Sequence, residues 1–226
     1  MRAPKTTTVI RQDQIATTAL ALIARRGLRA LNVASLAKEV GVVPSAIYRH
    51  YPSKEAVLDA VLKVIRHRLF ENVETVRRDF ASAFERLDQL LQRHIEMILS
   101  NQGIPRVVFS EEIFSGQPVR RRRIYQMIQG YLEKVAEMIR EGQSQGHFRP
   151  DLPPETVAMM FLGLVQTASI LRLMSDGQFD AAKYRESAWK IFRGMLSNDH
   201  QNSPKDLAVK QSRKSKEAQT EKENEI

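Results

Sequence analysis

The side chains best placed to do chemistry lie close together in the string PSAIYRHYPSK, from Pro44 to Lys54. Ser45, Ala46, Tyr48, Arg49 and His50, with Lys54 just beyond, mix small residues that permit close approach with hydroxyl, guanidinium, imidazole and ammonium donors. Such donors suit phosphate oxygens and base edges, so the chemistry on offer is non-covalent recognition of nucleic acid.

Other chemistries find little support. The five histidines (His50, His67, His94, His147, His200) show no i, i+4 pairing and no metal-ligand cluster, and all but His50 read as surface or partly buried residues. Glu111 and Glu112 are adjacent, so on a helix they point in different directions. There is no Gly-rich phosphate loop and no serine in a nucleophile elbow. Cysteine is absent, which excludes disulfides, thiolate catalysis and zinc sites built on cysteine. The expectation is a protein that is not an enzyme and uses no metal and no cofactor. Arg120 to Arg123 form a run of four arginines at a helix start. A solvated face is the expected reading, although basic residues there oppose the helix dipole and leave room for an acidic partner such as Glu111 or Glu112.

The elements that must position Ser45 to Lys54 are legible around them. Asn32 stands where an N-cap belongs, and Val33, Leu36, Ala37 and Val40 recur at helical spacing. Gly41 can end that helix, and Pro44 suits the first turn of the next. The second helix is expected from Pro44 to His50, turning Ile47 inward, with Pro52 stopping it and Ser53 capping a longer helix from Lys54. Two short helices around a Gly-bearing turn make a helix-turn-helix, whose second helix enters the DNA major groove. An ordinary pair of core helices has the same spacing, but the exposed composition argues against it. A first helix, Val9 to Arg26, packs behind this pair through Ile15, Ala19, Leu22 and Ile23, making a three-helix unit with Leu28, Leu31, Val33, Leu36, Val40, Val42 and Ile47 in its core.

Charge agrees with this placement. The chain of 226 residues carries a net +9, and residues 1–54 hold nine basic residues against two acidic ones, a net +7. An electrostatic footprint on phosphates requires such a concentration. A basic face also suits an anionic membrane, but the large aromatic-rich apolar face of an interfacial helix is missing. MRAPKTTTVIRQDQ has no apolar core segment, and the longest apolar stretch, Val157 to Ile170, is too short to span a bilayer and contains Gln166, Thr167 and Ser169. A soluble, cytoplasmic protein with no membrane partner is expected.

The rest of the chain reads as helices. After an arm in which Arg2 and Lys5 could reach DNA, and the three-helix unit, a long helix runs from near Ser53 to about Phe80. Others follow from Ala83 to Ser100, about Arg106 to Phe114, Val119 to Arg140 (ended by Gly142 and Gly146), Glu155 to Met174 and Ala181 to Leu196. No strand signal is found. The fold class is all-α: residues 1–54 form the helix-turn-helix DNA-binding domain with its arm, residues 55–196 a larger helical domain, and residues 197–226 a polar, mixed-charge tail expected to be disordered.

Gly27, the string VASLAKEVGV and above all AIYRHYPSKEAVLDAV (Ala46 to Val61) resemble the tetracycline-repressor (TetR) family of transcriptional regulators. The resemblance covers roughly residues 9 to 62; beyond it only length and helical layout agree. It implies DNA contacts by Tyr48, His50 and Lys54 to phosphates, with Tyr48 and Lys54 matching the family signature, and by Pro44, Ser45, Ala46 and Arg49 to base edges or through close groove approach. Asn32 and Val33 would bring backbone N–H groups to a phosphate. The chain departs from the common Lys-Gly-Thr at Pro44-Ser45-Ala46, so two donors are lost and apolar contact with thymine methyls gains weight.

The resemblance further implies a long helix four that transmits a ligand's effect, and a small-molecule pocket in the middle helices. Phe109, Phe114, Tyr125, Met127, Met159, Met160, Phe161 and Gln166 are candidates there, though each also reads as plain core. It implies a homodimer through the last two helices, where Met159, Gly163, Gln166, Thr167, Ile170 and Leu171 allow close approach and Trp189, Phe192 and Met195 supply anchors. The expected function is a homodimeric repressor of a palindromic DNA operator released by a small-molecule effector. A ligand-independent architectural or nucleoid-associated binder and an activator are the alternatives.

Overall fold

The computed structural model describes residues 8–114, 116–175 and 177–198. Arg2 and Lys5 of the arm, and the tail beyond Asn198, lie outside the described residues. The protein is all-α: among the described residues there is no strand, and an isolated antiparallel bridge pairs Phe148 with Ser197.

The N-terminal three-helix unit assembles as its local signals dictate. Helix α1 spans Thr8–Arg26 and buries Ile15, Ala19, Leu20, Leu22 and Ile23. A 3-10 turn, Leu28–Ala30, follows Gly27. Helix α2 (Val33–Val40) starts where Ser35 N–H donates to the Asn32 side chain at 2.8 Å. It ends at Gly41, whose φ of 76° only glycine adopts without strain. Helix α3 is Pro44–Tyr48, shorter than expected. Arg49 and His50 continue as a turn, with Arg49 N–H bonding the Ser45 carbonyl and His50 and Tyr51 N–H both bonding Ile47. Pro52 leaves no room for a longer helix. Leu36 and Ile47 are fully buried in the core.

Helix α4, Lys54–Asp79, begins with Ala56 N–H donating to the Ser53 hydroxyl. Its 26 residues make it about 39 Å long. It buries Val57, Leu58, Val61, Ile65, Leu69, Val73 and Val76 along its length, and packs against α1, α5 and α8. Helices α5 (Ala83–Ser100), α6 (Gly103–Val108), α7 (Glu111–Phe114), α8 (Pro118–Ser144), α9 (Pro154–Met174) and α10 (Ala181–Leu196) complete the fold. The segment expected as one helix up to Phe114 is two, divided at Phe109 and Ser110.

Helix α8 is tied to α4 at both ends. Near its start Arg120, only 5% exposed, donates to Asp59 at 2.9 Å, and Arg123 reaches the same carboxylate at 3.1 Å. Near its end Glu137 and Glu141 meet Arg77 of α4, and Glu141 also meets Arg86 of α5. The arginine run is therefore not a uniform solvated face: Arg120 is buried, Arg121 to Arg123 are exposed, and the acid that answers the run is Asp59 rather than Glu111 or Glu112. Helix α8 runs to Ser144, two residues past Gly142 and before Gly146. A Cβ at Gly142 would lie 2.2 Å from the Phe148 ring, so this glycine serves the chain's return onto the helix, and the reversal comes at Gly146.

Helices α9 and α10 pack as a pair. Phe161 stacks edge-on against Phe192 at 5.7 Å, the Tyr184 hydroxyl donates to the Leu164 carbonyl at 3.0 Å, and Arg185 pairs with Asp88 of α5. Trp189 and Phe192, expected as dimer anchors, are buried inside the protomer. Ser197 and Asn198, expected to open the tail, are instead held: Ser197 bridges Phe148, and Asn198 N–H donates to the His147 carbonyl. Helix α9 is long and apolar enough to cross a membrane, with a mean hydropathy of 1.7, and about a third of that stretch is buried. Its inner face (Val157, Phe161, Val165, Ala168) is core, while Met159, Met160, Ile170, Leu171 and Met174 face outward. A helix apolar all round needs a covering on both sides.

Candidate nucleic-acid interface and effector cavity

Ile47 anchors α3 in the three-helix core and so turns its other positions outward. Tyr48 is 54% exposed, and Pro44, Ser45 and Arg49 are exposed beside it. Ala46 is half-buried. His50 is half-buried with Nδ1 turned inward and unpaired, which leaves Nε2 as the ring atom for any phosphate. Asn32 is occupied as the cap of α2, its Nδ2 also donating to the Ala30 carbonyl at 3.3 Å. The N–H groups of the first α2 residues, Val33 among them, have no acceptor within the helix and point from its positive end.

Lys54 sits apart from this cluster in one respect. Its ammonium is 3.1 Å from the carboxylate of Glu112, on α7. Tyr51, which sequence reasoning passed over, holds the unit together: its hydroxyl donates to the Gln12 carbonyl of α1 at 3.0 Å, and burial raises its pKa. Its signal was an aromatic residue one step beyond the outward-facing set.

A partly open cavity lies among α4, α5, α6, α8 and α9. Ile65 and Leu69 of α4, Met97 and Ile98 of α5, Ile104, Pro105 and Val108 of α6, and Met127 of α8 supply its apolar walls. The polar atoms come from His94, Tyr131, Gln166 and Ser169. Its volume is about 60 Å³, room for a few waters and well below the roughly 300–1,000 Å³ of ligand pockets. Of the candidates named from sequence, Phe109, Met127 and Gln166 line it. Phe114, Tyr125, Met159 and Met160 are instead exposed on the surface, and Phe161 is core against α10.

His94 and Tyr131 are the residues sequence reasoning missed. His94 is 6% exposed, not a surface residue, and shares a 2.9 Å hydrogen bond with the Tyr131 hydroxyl. Burial pushes the His94 pKa down to about 4 and the Tyr131 pKa up, so both are neutral near pH 7. Leu87, Leu90, Leu91 and Ile98 share the buried stripe of α5 with His94, and that periodicity was the available signal. The Ser169 hydroxyl is buried without a partner. The cavity walls thus carry no net charge.

Helix α6 separates this cavity from α1. It approaches so closely that a Cβ at Gly103 would lie 2.4 Å from the Leu20 carbonyl oxygen. On the other side of Met127, a cleft of about 250 Å³ opens between α4 and α8, edged by Lys63, Arg66 and Arg123 and by the acidic Asp59.

Residues 15–61 match the model for bacterial regulatory proteins of the tetR family. Residues 65–194 match that for the C-terminal region of YsiA-like proteins. The fatty acid metabolism regulator protein of Bacillus subtilis (strain 168) is 23% identical over 185 residues, covering 82% of this chain and 95% of that protein. The nucleoid occlusion factor SlmA of Aliivibrio fischeri (strain MJ11) is 22% identical over 175 residues, covering 77% and 89%. Among solved structures, the regulator FadR from Bacillus subtilis in complex with stearoyl-CoA superposes with a TM-score of 0.68 at 23% identity, covering 80% of this chain and 97% of that one. The ketosteroid regulator KstR2 of Mycobacterium tuberculosis superposes at 0.64 with 24% identity, covering 83% and 95%. At these identities the likeness shows a shared fold.

Proposed function

This chain belongs to the tetR family of bacterial regulatory proteins, DNA-binding transcriptional regulators, and on that premise we propose a homodimeric repressor of a palindromic operator, released by an amphiphilic small molecule. It acts by binding rather than catalysis, in the cytoplasm where the DNA is. The surface around buried Ile47 supports the reading most directly. Tyr48, His50 and Lys54 take phosphates; Pro44, Ser45, Ala46 and Arg49 approach base edges; and the first turn of α2, at Asn32 and Val33, offers backbone N–H groups.

The dimer uses the outward side of α9 with Ile191 of α10, which is 74% exposed. A second copy of the same face would bury it, and Gly163 and Gly194 leave open space for close helix approach. Two-fold symmetry then sets two α3 helices on successive half-sites.

The effector reading rests on two adjoining features. An uncharged, mostly apolar cavity suits an acyl chain, and the cleft with Lys63 and Arg66, where Arg123 is already paired with Asp59, suits an anionic head group beyond Met127. The fold shared with a regulator solved in complex with stearoyl-CoA supports an acyl-CoA or a molecule like it. A chain of that length exceeds the space present, so its entry moves α6 outward and disturbs the contact with α1.

Selection of bound DNA from a random pool supplies the operator. Stearoyl-CoA, stearate and coenzyme A are then each added to the purified complex. Release by stearoyl-CoA and not by coenzyme A is expected. Retention of DNA with all three would turn the reading to the ligand-independent architectural binder, which the small cavity and the similarity to SlmA favour. Transcription in vitro from the selected site separates repression from activation.

A further inference from the structure

Lys54 occupies the first position of α4, immediately after the capping Ser53. An ammonium there opposes the positive end of the helix dipole and gains from a nearby anion. The neighbouring Glu55 carboxylate is engaged first by its own backbone N–H and then by the Ser53 side chain, which lower its pKa, and feels the Lys54 charge only as a smaller contribution. The anion that does reach Lys54 is Glu112, 58 residues away in sequence, at 3.1 Å. Both side chains are about one-third exposed, so the pair is open to solvent.

We propose that Glu112 is an internal competitor of DNA for Lys54, its carboxylate standing in for a phosphate until the operator displaces it. A carboxylate and a phosphate diester each present one negative charge and acceptor oxygens to the same ammonium, so both cannot hold it fully. The proposal rests on Lys54 being a phosphate contact. It adds a residue outside the helix-turn-helix that sets the strength of that contact. Glu112 is well placed for this role. It follows α6 with only Phe109, Ser110 and Glu111 between, so its carboxylate is carried by the short helix next to the cavity wall.

An exposed ion pair of this kind shifts an equilibrium by roughly two- to five-fold. Removing the carboxylate therefore tightens DNA binding by about that factor. The gain is largest at low salt and shrinks as salt screens the pair in the free protein.

The test compares full-length wild type, Glu112→Gln, Lys54→Ala and the double variant on the selected operator and on an unrelated duplex, across a salt series. Glu112→Gln is expected to bind both DNAs roughly two- to five-fold more tightly at low salt, with a steeper dependence on salt than wild type. In the Lys54→Ala background the same substitution is expected to do nothing. A gain that persists without Lys54 would mean a general charge effect and overturn the competitor. Unchanged or weaker binding by Glu112→Gln would overturn it too, the latter by making Glu112 an orienting partner. Lys54→Ala alone separates the two levels: undiminished affinity and an unchanged salt slope would remove Lys54 as a phosphate contact, and the competitor with it. A weakened Lys54→Ala beside an indifferent Glu112→Gln would remove the competitor only.

Discussion

His94 of α5 and Tyr131 of α8 share a 2.9 Å hydrogen bond inside the wall of the cavity, with no charged group completing the pair. Each is the other's way of burying a polar atom, and together they join two helices of the larger domain. Their environment makes stability depend on pH. Folding lowers the His94 pKa from 6.5 to about 4, so on acidification the unfolded chain takes up this proton first. The stabilisation is complete above about pH 6.5 and is lost as pH falls towards 4, at about 1.4 kcal/mol per unit within that window. Urea unfolding at pH 7, 6 and 5 should show this slope, and His94→Leu should flatten it. A slope that survives the substitution would assign the titration to other groups.

Arg120 and its neighbours should separate sharply. Arg120→Ala leaves Asp59 with Arg123 alone and empties a buried site, and is expected to cost about 2–3 kcal/mol of stability. Arg121→Ala and Arg122→Ala remove exposed side chains and should stay within about 0.5 kcal/mol of wild type. Equal effects in chemical denaturation would mean that burial does not govern the run.

At the DNA surface, Tyr48→Phe deletes one hydroxyl from an exposed ring. Affinity should fall by roughly three- to ten-fold, the net worth of one ordinary hydrogen bond at an exposed site. The loss should be the same on operator and unrelated duplex. A changed sequence preference, measured by repeating the selection, would make Tyr48 a base reader.

The two faces of the last helices should respond differently. Ile170→Glu, or Ile191→Glu, puts a charge on the outward apolar face and is expected to yield a folded monomer with weakened operator binding. Trp189→Ala empties a protomer-internal site and should instead cost about 3–5 kcal/mol of stability. Light scattering and thermal unfolding distinguish them. A dimer that survives both outward substitutions would place the interface elsewhere.

Much of the DNA-reading unit was legible because its determinants are local. The Asn32 cap, Gly41, Pro44 and the Ser53 cap each act within four residues, and the structure carries them out at those positions. The cavity was harder to read. Phe109, Met127 and Gln166 were found among candidates of which others face solvent, because aromatic and methionine residues serve core, pocket and interface alike. His94 reads from sequence as surface or partly buried because a single histidine on an apolar stripe announces neither its full burial nor its partner on another helix.

The sequence by itself determined the all-α class, the order of helices and the helix-turn-helix, since capping, glycine placement and a 3.6-residue period are properties of neighbours along the chain. Tertiary structure alone decided the pairings across distance: Arg120 with Asp59, Lys54 with Glu112, His94 with Tyr131. It also turned Trp189 and Phe192 inward and left Ile191 and Met174 outside. Periodicity says that a helix has an apolar side; which neighbour covers that side depends on how whole helices pack, and no local stretch of sequence carries that information.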